Sequence, residues 1–308
     1  MPTPSRIAVT GSTGLIGSSL VTSLRADGHE VVRLVRRPAR ESDEAQWDPR
    51  GKDTGVTAAA LAGCDAVVHL AGAGVADKRW TESYKREIRD SRVLGTAAVA
   101  RAIADQDTPP ATFLCGSAIG FYGDTGDRAV DEDAPAGEGF LAEVCLEWED
   151  AAAPAVRAGV RTVLARTGLV VAASGGAWGR LFPLFKAGLG GRIGNGRQYW
   201  SHIALADHIA ALRFLLEQDG EDALSGPVNL TAPEPVTNRE VTRVMGKVLR
   251  RPTLFPAPAP ALQLFLGQFA EDVLSSQRVV PRRLMEAGFP FTHPGIEDAV
   301  RAALEDSA

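Results

Sequence analysis

Thr10-Gly11-Ser12-Thr13-Gly14-Leu15-Ile16-Gly17 follows directly on the apolar run Ile7-Ala8-Val9. A buried parallel strand that stops at a glycine and restarts as a helix leaves backbone N–H groups without partners and a positive dipole end at the turn. Such a turn suits a pyrophosphate. Gly11 permits the tight turn, Gly14 lets a phosphate approach the backbone, and Gly17 lets the helix pack closely. Leu15, Ile16, Leu20, Val21 and Leu24 continue at helical spacing, and Gly28-His29 closes that helix before a second strand, Val31 to Val35. Strand, turn, helix and strand in this order outweigh the alternative of a glycine-rich turn that binds nothing. The expected fold is α/β, a Rossmann-type doubly wound parallel sheet.

The second strand runs into Arg36-Arg37. At this strand end a carboxylate would hold the adenosine 2′-hydroxyl and a guanidinium a 2′-phosphate, so two arginines point to NADP(H); a solvated basic strand end is the alternative. Asp65 to Gly72 reads as another buried strand whose end, Leu70, Ala71 and Gly72, should line the cofactor cleft, with His69 as a buried core histidine. Trp80 to Ile103 has helical periodicity. Thr112 to Gly116 is a further strand that delivers Ser117, followed by Ala118-Ile119-Gly120-Phe121-Tyr122-Gly123.

Composition bounds the rest. The 308 residues are 45% apolar and 23% charged, ordinary for a soluble enzyme, and the net charge of −5 argues against a nucleic-acid surface. Cys64, Cys115 and Cys145 form no complete disulfide set and no C-x-x-C site, so no metal and a reducing, cytoplasmic setting are expected. The first strand begins too early for a signal peptide, and no apolar run approaches the roughly 20 residues of a membrane span. Expected partners are small molecules, with no nucleic acid and no membrane, and the oligomeric state is open. The only linker-like tract is Pro252 to Pro260.

The glycines at 11, 14 and 17 with Thr10 in front resemble the turn of short-chain dehydrogenases/reductases of the extended, epimerase-like branch. Arg92-Val93-Leu94-Gly95-Thr96 falls where that branch shows N-x-x-G-T, with arginine in place of asparagine. Arg92, and Glu87 five residues earlier, can then reach the cofactor edge, although a solvated helix face explains either. Ser117 matches the serine that holds the substrate oxygen in these enzymes, where it would stabilise developing charge; a loop-capping serine is the alternative. The family then supplies Tyr-x-x-x-Lys on the next helix, the lysine lowering the phenol's pKa. Here Leu141, 24 residues beyond Ser117, and Cys145 stand at those positions, and neither can transfer a proton as the pair does. Tyr122 is then the nearest phenol to Ser117, with Glu143 and Cys145 as weaker acid/base candidates.

Phe140-Leu141-Ala142-Glu143-Val144-Cys145 with Trp148-Glu149, after Ser117 to Gly123, is similar to the epimerase-family proteins often labelled sugar nucleotide epimerases, and the tail from Arg251 through Phe291 resembles that family's small C-terminal module. The run Val160 to Val171 is expected to be one central strand whose end, Thr167, Gly168 and Val170, approaches the nicotinamide. In Lys186 to Gln198, Arg192 and Arg197 sit among glycines and are candidates to clamp an anionic substrate, a mobile surface turn being the alternative. The family's W-I-H-x-x-D reads as His202 to Asp207, with alanine at the histidine position. Gly226 to Leu230 looks like the last strand, and Thr237 to Glu240 has capping-box spacing.

These readings divide the chain into an NADP-binding Rossmann domain over 1–170, its sheet completed by about 226–231, and a substrate-lid region over 171–308 with a C-terminal module from about 252. The implied function is an NADP(H)-binding oxidoreductase or epimerase acting on an unidentified small, possibly anionic substrate. A catalytically silent NADP(H)-binding sensor or assembly factor is the rival, because the Tyr/Lys pair is gone; a structural protein retaining only the fold fits the intact glycines and strand-end arginines least.

Overall fold

The computed structural model describes residues 4–50 and 54–306. In chain order the first half runs β1 (Arg6–Thr10), α1 (Leu15–Ala26), β2 (Glu30–Val35), β3 (Glu44–Gln46), α2 (Thr54–Leu61), β4 (Ala66–His69), α3 (Glu82–Ala104), β5 (Thr112–Ala118), α4 (Phe140–Asp150), α5 (Ala153–Arg157) and β6 (Arg161–Thr167). The second half continues with β7 (Leu169–Val171), α6 (Gly176–Lys186), β8 (Tyr199–Trp200), β9 (His202–Ala204), α7 (Leu205–Glu217), β10 (Gly226–Leu230), β11 (Val236–Thr237), α8 (Asn238–Leu249), α9 (Ala259–Leu266), α10 (Phe269–Leu274), α11 (Arg282–Glu286) and α12 (Ile296–Glu305).

Seven strands form one sheet in the order β10-β6-β5-β4-β1-β2-β3, every pair parallel. Both faces are covered, as an all-parallel sheet requires. Leu20, Val21 and Leu24 of α1 and Ile209, Leu212 and Leu215 of α7 pack on one face; Leu61, Val99, Ile103, Trp148 and Ala155 from α2 to α5 pack on the other. The strand order reverses between β1 and β4, so the ligand crevice lies outside their carboxyl ends.

The expected single strand Val160 to Val171 is two. β6 ends at Thr167, and β7 leaves the main sheet to pair with β9. The break is at Gly168, where a Cβ would stand 2.6 Å from the Ser201 carbonyl oxygen and 2.8 Å from Thr231 Cγ2. A third core joins β7 and β9 to α6, α8 and α12 through Trp178, Phe182, Met245 and Val300. The tract from Pro252 is not a free linker: Ala257 bridges Ile193, donating to the Arg192 carbonyl at 2.9 Å and accepting from Gly194 at 2.8 Å. α3 starts after Trp80 because Thr81 caps it, its hydroxyl accepting from the Tyr84 N–H at 3.2 Å. Thr237 caps α8 in the same way, while the Glu240 carboxylate pairs forward with Arg243 instead of closing the box. Among the described residues no helix is long and apolar enough to cross a membrane.

Candidate functional site: a nucleotide cradle at the end of β1

Gly11 has φ +65°, and a Cβ there would lie 2.8 Å from the Leu70 carbonyl carbon, so both the turn and the approach of β4 demand glycine. Gly14 N–H donates to the Gly11 carbonyl at 3.0 Å and then opens α1 with no side-chain cap and no acid in the first turn. A Cβ on Gly17 would fall well inside contact distance of the Gly11 oxygen; the close packing Gly17 allows is thus against the turn itself. Ser12 is buried, Thr13 and Gly14 are exposed, Leu15 packs toward Gly175, and Ile16 joins the core. What the turn offers a ligand is its backbone N–H groups and the uncapped end of α1, which suits a diphosphate.

The crevice wall is fixed by Thr10. Its hydroxyl accepts from the Leu70 and Ala71 N–H groups at 3.0 and 3.2 Å, so its own proton goes to His69 Nδ1 at 2.8 Å. Burial pushes His69 down to about 3, and the neutral ring therefore carries its proton on Nε2, edge-on to Trp47 with centroids 5.6 Å apart. His69 is a core histidine that ties β1 to β4. Leu70, Ala71 and Gly72 are consequently held at the carboxyl end of the sheet.

The two arginines after β2 part company. Arg37 makes a bidentate pair with Glu44 at 2.7 and 2.8 Å, holding that carboxyl down to about 2, with the Arg40 N–H adding a third bond. Arg36 is exposed and has no partner among the described residues. Only Arg36 has its donors unspent.

On α3, Glu87 is exposed and pairs with Lys78 at 3.3 Å, the solvated helix-face alternative. Arg92 turns toward the crevice: Nη1 donates to the carbonyls of Ala73 at 2.9 Å and Ile88 at 3.1 Å, and the guanidinium lies over Trp148 at 5.1 Å. A Cβ on Gly72 would stand 3.3 Å from Arg92 Cζ. Sequence reasoning missed Tyr84, a buried phenol nearby; its hydroxyl donates to the Gly74 carbonyl, and only its place one turn into a helix at the crevice rim hinted at it.

The hydroxyls of the catalytic candidates Ser117 and Tyr122 are both bonded within the chain. Ser117 is buried and donates to Glu149 Oε1 at 2.6 Å. Glu149 also accepts from Arg166 Nε and Nη2, both at 2.8 Å, and Arg166 Nη1 donates to the Tyr122 hydroxyl at 2.9 Å. Tyr122 in turn donates to Asn229 Oδ1 at 2.7 Å. Ser117, Arg166 and Asn229 are cross-strand neighbours on β5, β6 and β10, so this is a closed structural network beneath α4. Burial pushes Tyr122 up to about 12 even beside Arg166, and Cys145 up to about 12. Neither exchanges protons readily near neutrality. Leu141 packs against the cluster of Trp80, Tyr84 and Ile88, and Glu143 is exposed.

Thr167 ends β6 with its hydroxyl 3.1 Å from Nε2 of His208, a buried histidine pushed down to about 3. Val170 is packed on the core edge beyond Gly168. Arg192 and Arg197 are exposed, their side chains without a partner among the described residues, but the segment bearing them is tied down: Ile193 N–H donates to Asn238 Oδ1 at 2.7 Å, and Gln198 Nε2 to the Ile193 carbonyl at 3.0 Å. Asp207 staples the C-terminal region, accepting from the N–H groups of Thr292 at 3.0 Å and His293 at 2.8 Å. His202 is buried and pushed down to about 4. No group of three His, Cys, Asp or Glu side chains among the described residues can hold a metal ion.

A cradle that only glycine fits and an uncapped helix end above it suit the diphosphate of a dinucleotide. Comparison with known proteins agrees with that geometry. Residues 7–230 match the model of the NAD dependent epimerase/dehydratase family, and residues 257–303 match a domain of unknown function, DUF1731. An epimerase family protein of Mycobacterium bovis is 46% identical over 295 residues, 96% of each chain. Human epimerase family protein SDR39U1 is 33% identical over 300 residues, 96% of this chain and 98% of that one; a crystal structure of its isoform 2 with NADPH superposes with a TM-score of 0.88 at 31% identity, covering 98% and 99% of the two chains. A nucleoside-diphosphate sugar epimerase from Corynebacterium glutamicum matches with a TM-score of 0.79 at 35% identity, covering 98% of this chain and 58% of that one. The chain belongs to the NAD dependent epimerase/dehydratase family, among the epimerase family proteins that carry the additional C-terminal domain.

Proposed function

We propose that this protein binds NADP(H) as an oxidoreductase or epimerase of the extended short-chain type, acting on a small anionic substrate. The observation that carries the cofactor reading is Arg36, the unpaired guanidinium at the end of β2, beside a cradle that suits a diphosphate. The human relative with NADPH in its crystal structure supports the same choice. When bound, the nicotinamide supplies hydride exchange at its C4. The chain's own contribution is positional: Gly11 to Gly17 hold the diphosphate, Thr10 fixes the crevice wall through Leu70 and Ala71, and Arg192 and Arg197 on their tied-down segment offer free guanidinium groups to the substrate's anion.

A second reading is favoured by one specific observation, that the hydroxyls of Ser117 and Tyr122 are both spent inside the network with Glu149, Arg166 and Asn229. With Leu141 and Cys145 at the Tyr/Lys positions, NADP(H) held without turnover, as a sensor or assembly factor, accounts for that arrangement. Native mass spectrometry of freshly purified protein tests the cofactor reading. NADP(H) released on denaturation is expected; co-purifying NAD(H) would overturn it. Incubating the NADPH complex with a panel of small carboxylates, phosphates and nucleotide sugars separates the two readings, since any substrate-dependent loss of absorbance at the reduced nicotinamide band excludes silence.

A further inference from the structure

The residue that neither the glycine cradle nor Arg36 accounts for is Arg92. Arginine stays protonated in proteins, and a half-buried guanidinium is ordinarily paired with a carboxylate. Arg92 is not. Its only bonds are Nη1 to the Ala73 and Ile88 carbonyls, which leaves the Nε and Nη2 donors without a partner among the described residues. The ionisable groups close enough to influence it, Tyr84 and Cys145, are both neutral at pH 7, their protons held on by burial. The carboxylate on the adjoining loop, Asp77, is exposed and faces Arg180 at 3.5 Å. The site thus keeps a fixed, uncompensated positive charge against Gly72, at the carboxyl end of β4.

Topology says which half of a bound dinucleotide meets that charge. β1 has β2 on one side and β4, then β5, on the other. Arg36, at the end of β2, takes the adenosine side in the reading above. A dinucleotide with its diphosphate over the Gly11–Gly17 turn then extends its nicotinamide half past the ends of β4 and β5. That is the side on which Arg92 stands.

We propose that Arg92 makes this site selective for the redox state of the cofactor, binding the uncharged reduced nicotinamide in preference to the cationic oxidised ring. The inference rests on the NADP(H) reading of the cradle. The oxidised and reduced forms differ by one positive charge on the ring, and they share every contact at the adenosine and diphosphate end. A fixed cation on the nicotinamide side therefore acts on the difference alone. For charges roughly 10 Å apart in a partly buried site, repulsion disfavours the oxidised form by on the order of tenfold. The same charge would let the protein release the cofactor once it is oxidised, whether by its own chemistry or by a change in the cellular pool.

Dissociation constants for NADPH and NADP+ are measured by calorimetry at fixed ionic strength for the wild type, Arg92→Gln and Arg92→Leu. The wild type is expected to bind NADPH about tenfold more tightly, and both neutral variants to bring the ratio close to one, mainly by tightening NADP+. Arg92→Lys should keep most of the preference. Melting curves without nucleotide establish that each variant is folded. If Arg92→Leu does not fold, Arg92→Gln, which retains a donor for the Ala73 carbonyl, carries the test. A wild-type ratio near one, or a ratio that survives both neutral variants, overturns the proposal. Absence of binding of both forms to the wild type would instead refute the cofactor reading beneath it.

Discussion

Arg36 and Arg37 are adjacent and chemically identical, yet replacing them should have different consequences. Arg36 has no bond among the described residues, so Arg36→Ala should leave the melting temperature unchanged, as for most exposed substitutions. On the proposed NADP(H) reading it loses a charge-assisted bond to the adenosine 2′-phosphate, about 1.5–3 kcal/mol. The dissociation constant for NADPH should therefore rise by roughly 10- to 100-fold. NADH, which lacks that phosphate, should shift by less than about twofold, within the scatter of a neutral surface substitution. Arg37→Ala removes the bidentate partner of Glu44, whose side chain is 1% exposed, and leaves that carboxylate with only Arg33 at 3.5 Å and the Arg40 N–H at 2.9 Å among the described residues. Its first effect should be on stability, and Glu44→Gln in the same chain should relieve it. Titration by energy transfer from tryptophan to the reduced nicotinamide measures both ligands in both variants. Equal weakening of NADPH and NADH by Arg36→Ala, or no weakening at all, would refute the assignment.

Gly17→Ala places a methyl group against the Gly11 carbonyl oxygen, where only backbone can give way. It should cost about 1–3 kcal/mol in urea unfolding and abolish NADPH binding together; a stable variant with wild-type affinity would sink the cradle. Glu149→Gln strips Arg166 of its buried partner and should destabilise by about 3–5 kcal/mol, while the folded fraction keeps its NADPH affinity; loss of affinity at unchanged stability would return this network to the binding site. Folded His69, His202 and His208 titrate at about 3, 4 and 3, against 6.5 when unfolded. Below pH 6.5 the unfolded chain takes up protons that the folded chain refuses, so stability falls with falling pH, by about 1.4 kcal/mol per pH unit for each histidine. Urea midpoints that stay level from pH 7.5 to 5 would contradict that burial.

The turn at Gly11 was legible because its demands are local: one positive φ, one uncapped helix and one close approach follow from eight consecutive residues. The strands beside it read equally well, since a parallel sheet buried on both faces leaves apolar runs such as Ile7 to Val9 and Ala66 to Val68. What could not be read was set by partners distant in sequence. Gly168 ends β6 because Ser201 and Thr231 press on it, and nothing within five residues of it announces that. Ser117 stands at a strand end as the family's serine does, yet its hydroxyl goes to Glu149 of α4, 32 residues on, which Arg166 of β6 holds in place. The same holds for Arg37, whose partner Glu44 lies on the next strand across. Arg92 stands out in the sequence for where it falls, but its lack of a carboxylate partner is a fact of packing alone.

The central claim is that the Gly11–Gly17 turn and Arg36 together hold a phosphorylated nicotinamide dinucleotide. Calorimetric titration of the wild-type protein with NADPH and, separately, with NADH tests it most directly. A saturable site of one NADPH per chain, with NADH at least tenfold weaker, is the result the account predicts. Equal affinity for the two would contradict the role of Arg36, and no heat with either would contradict the nucleotide site itself.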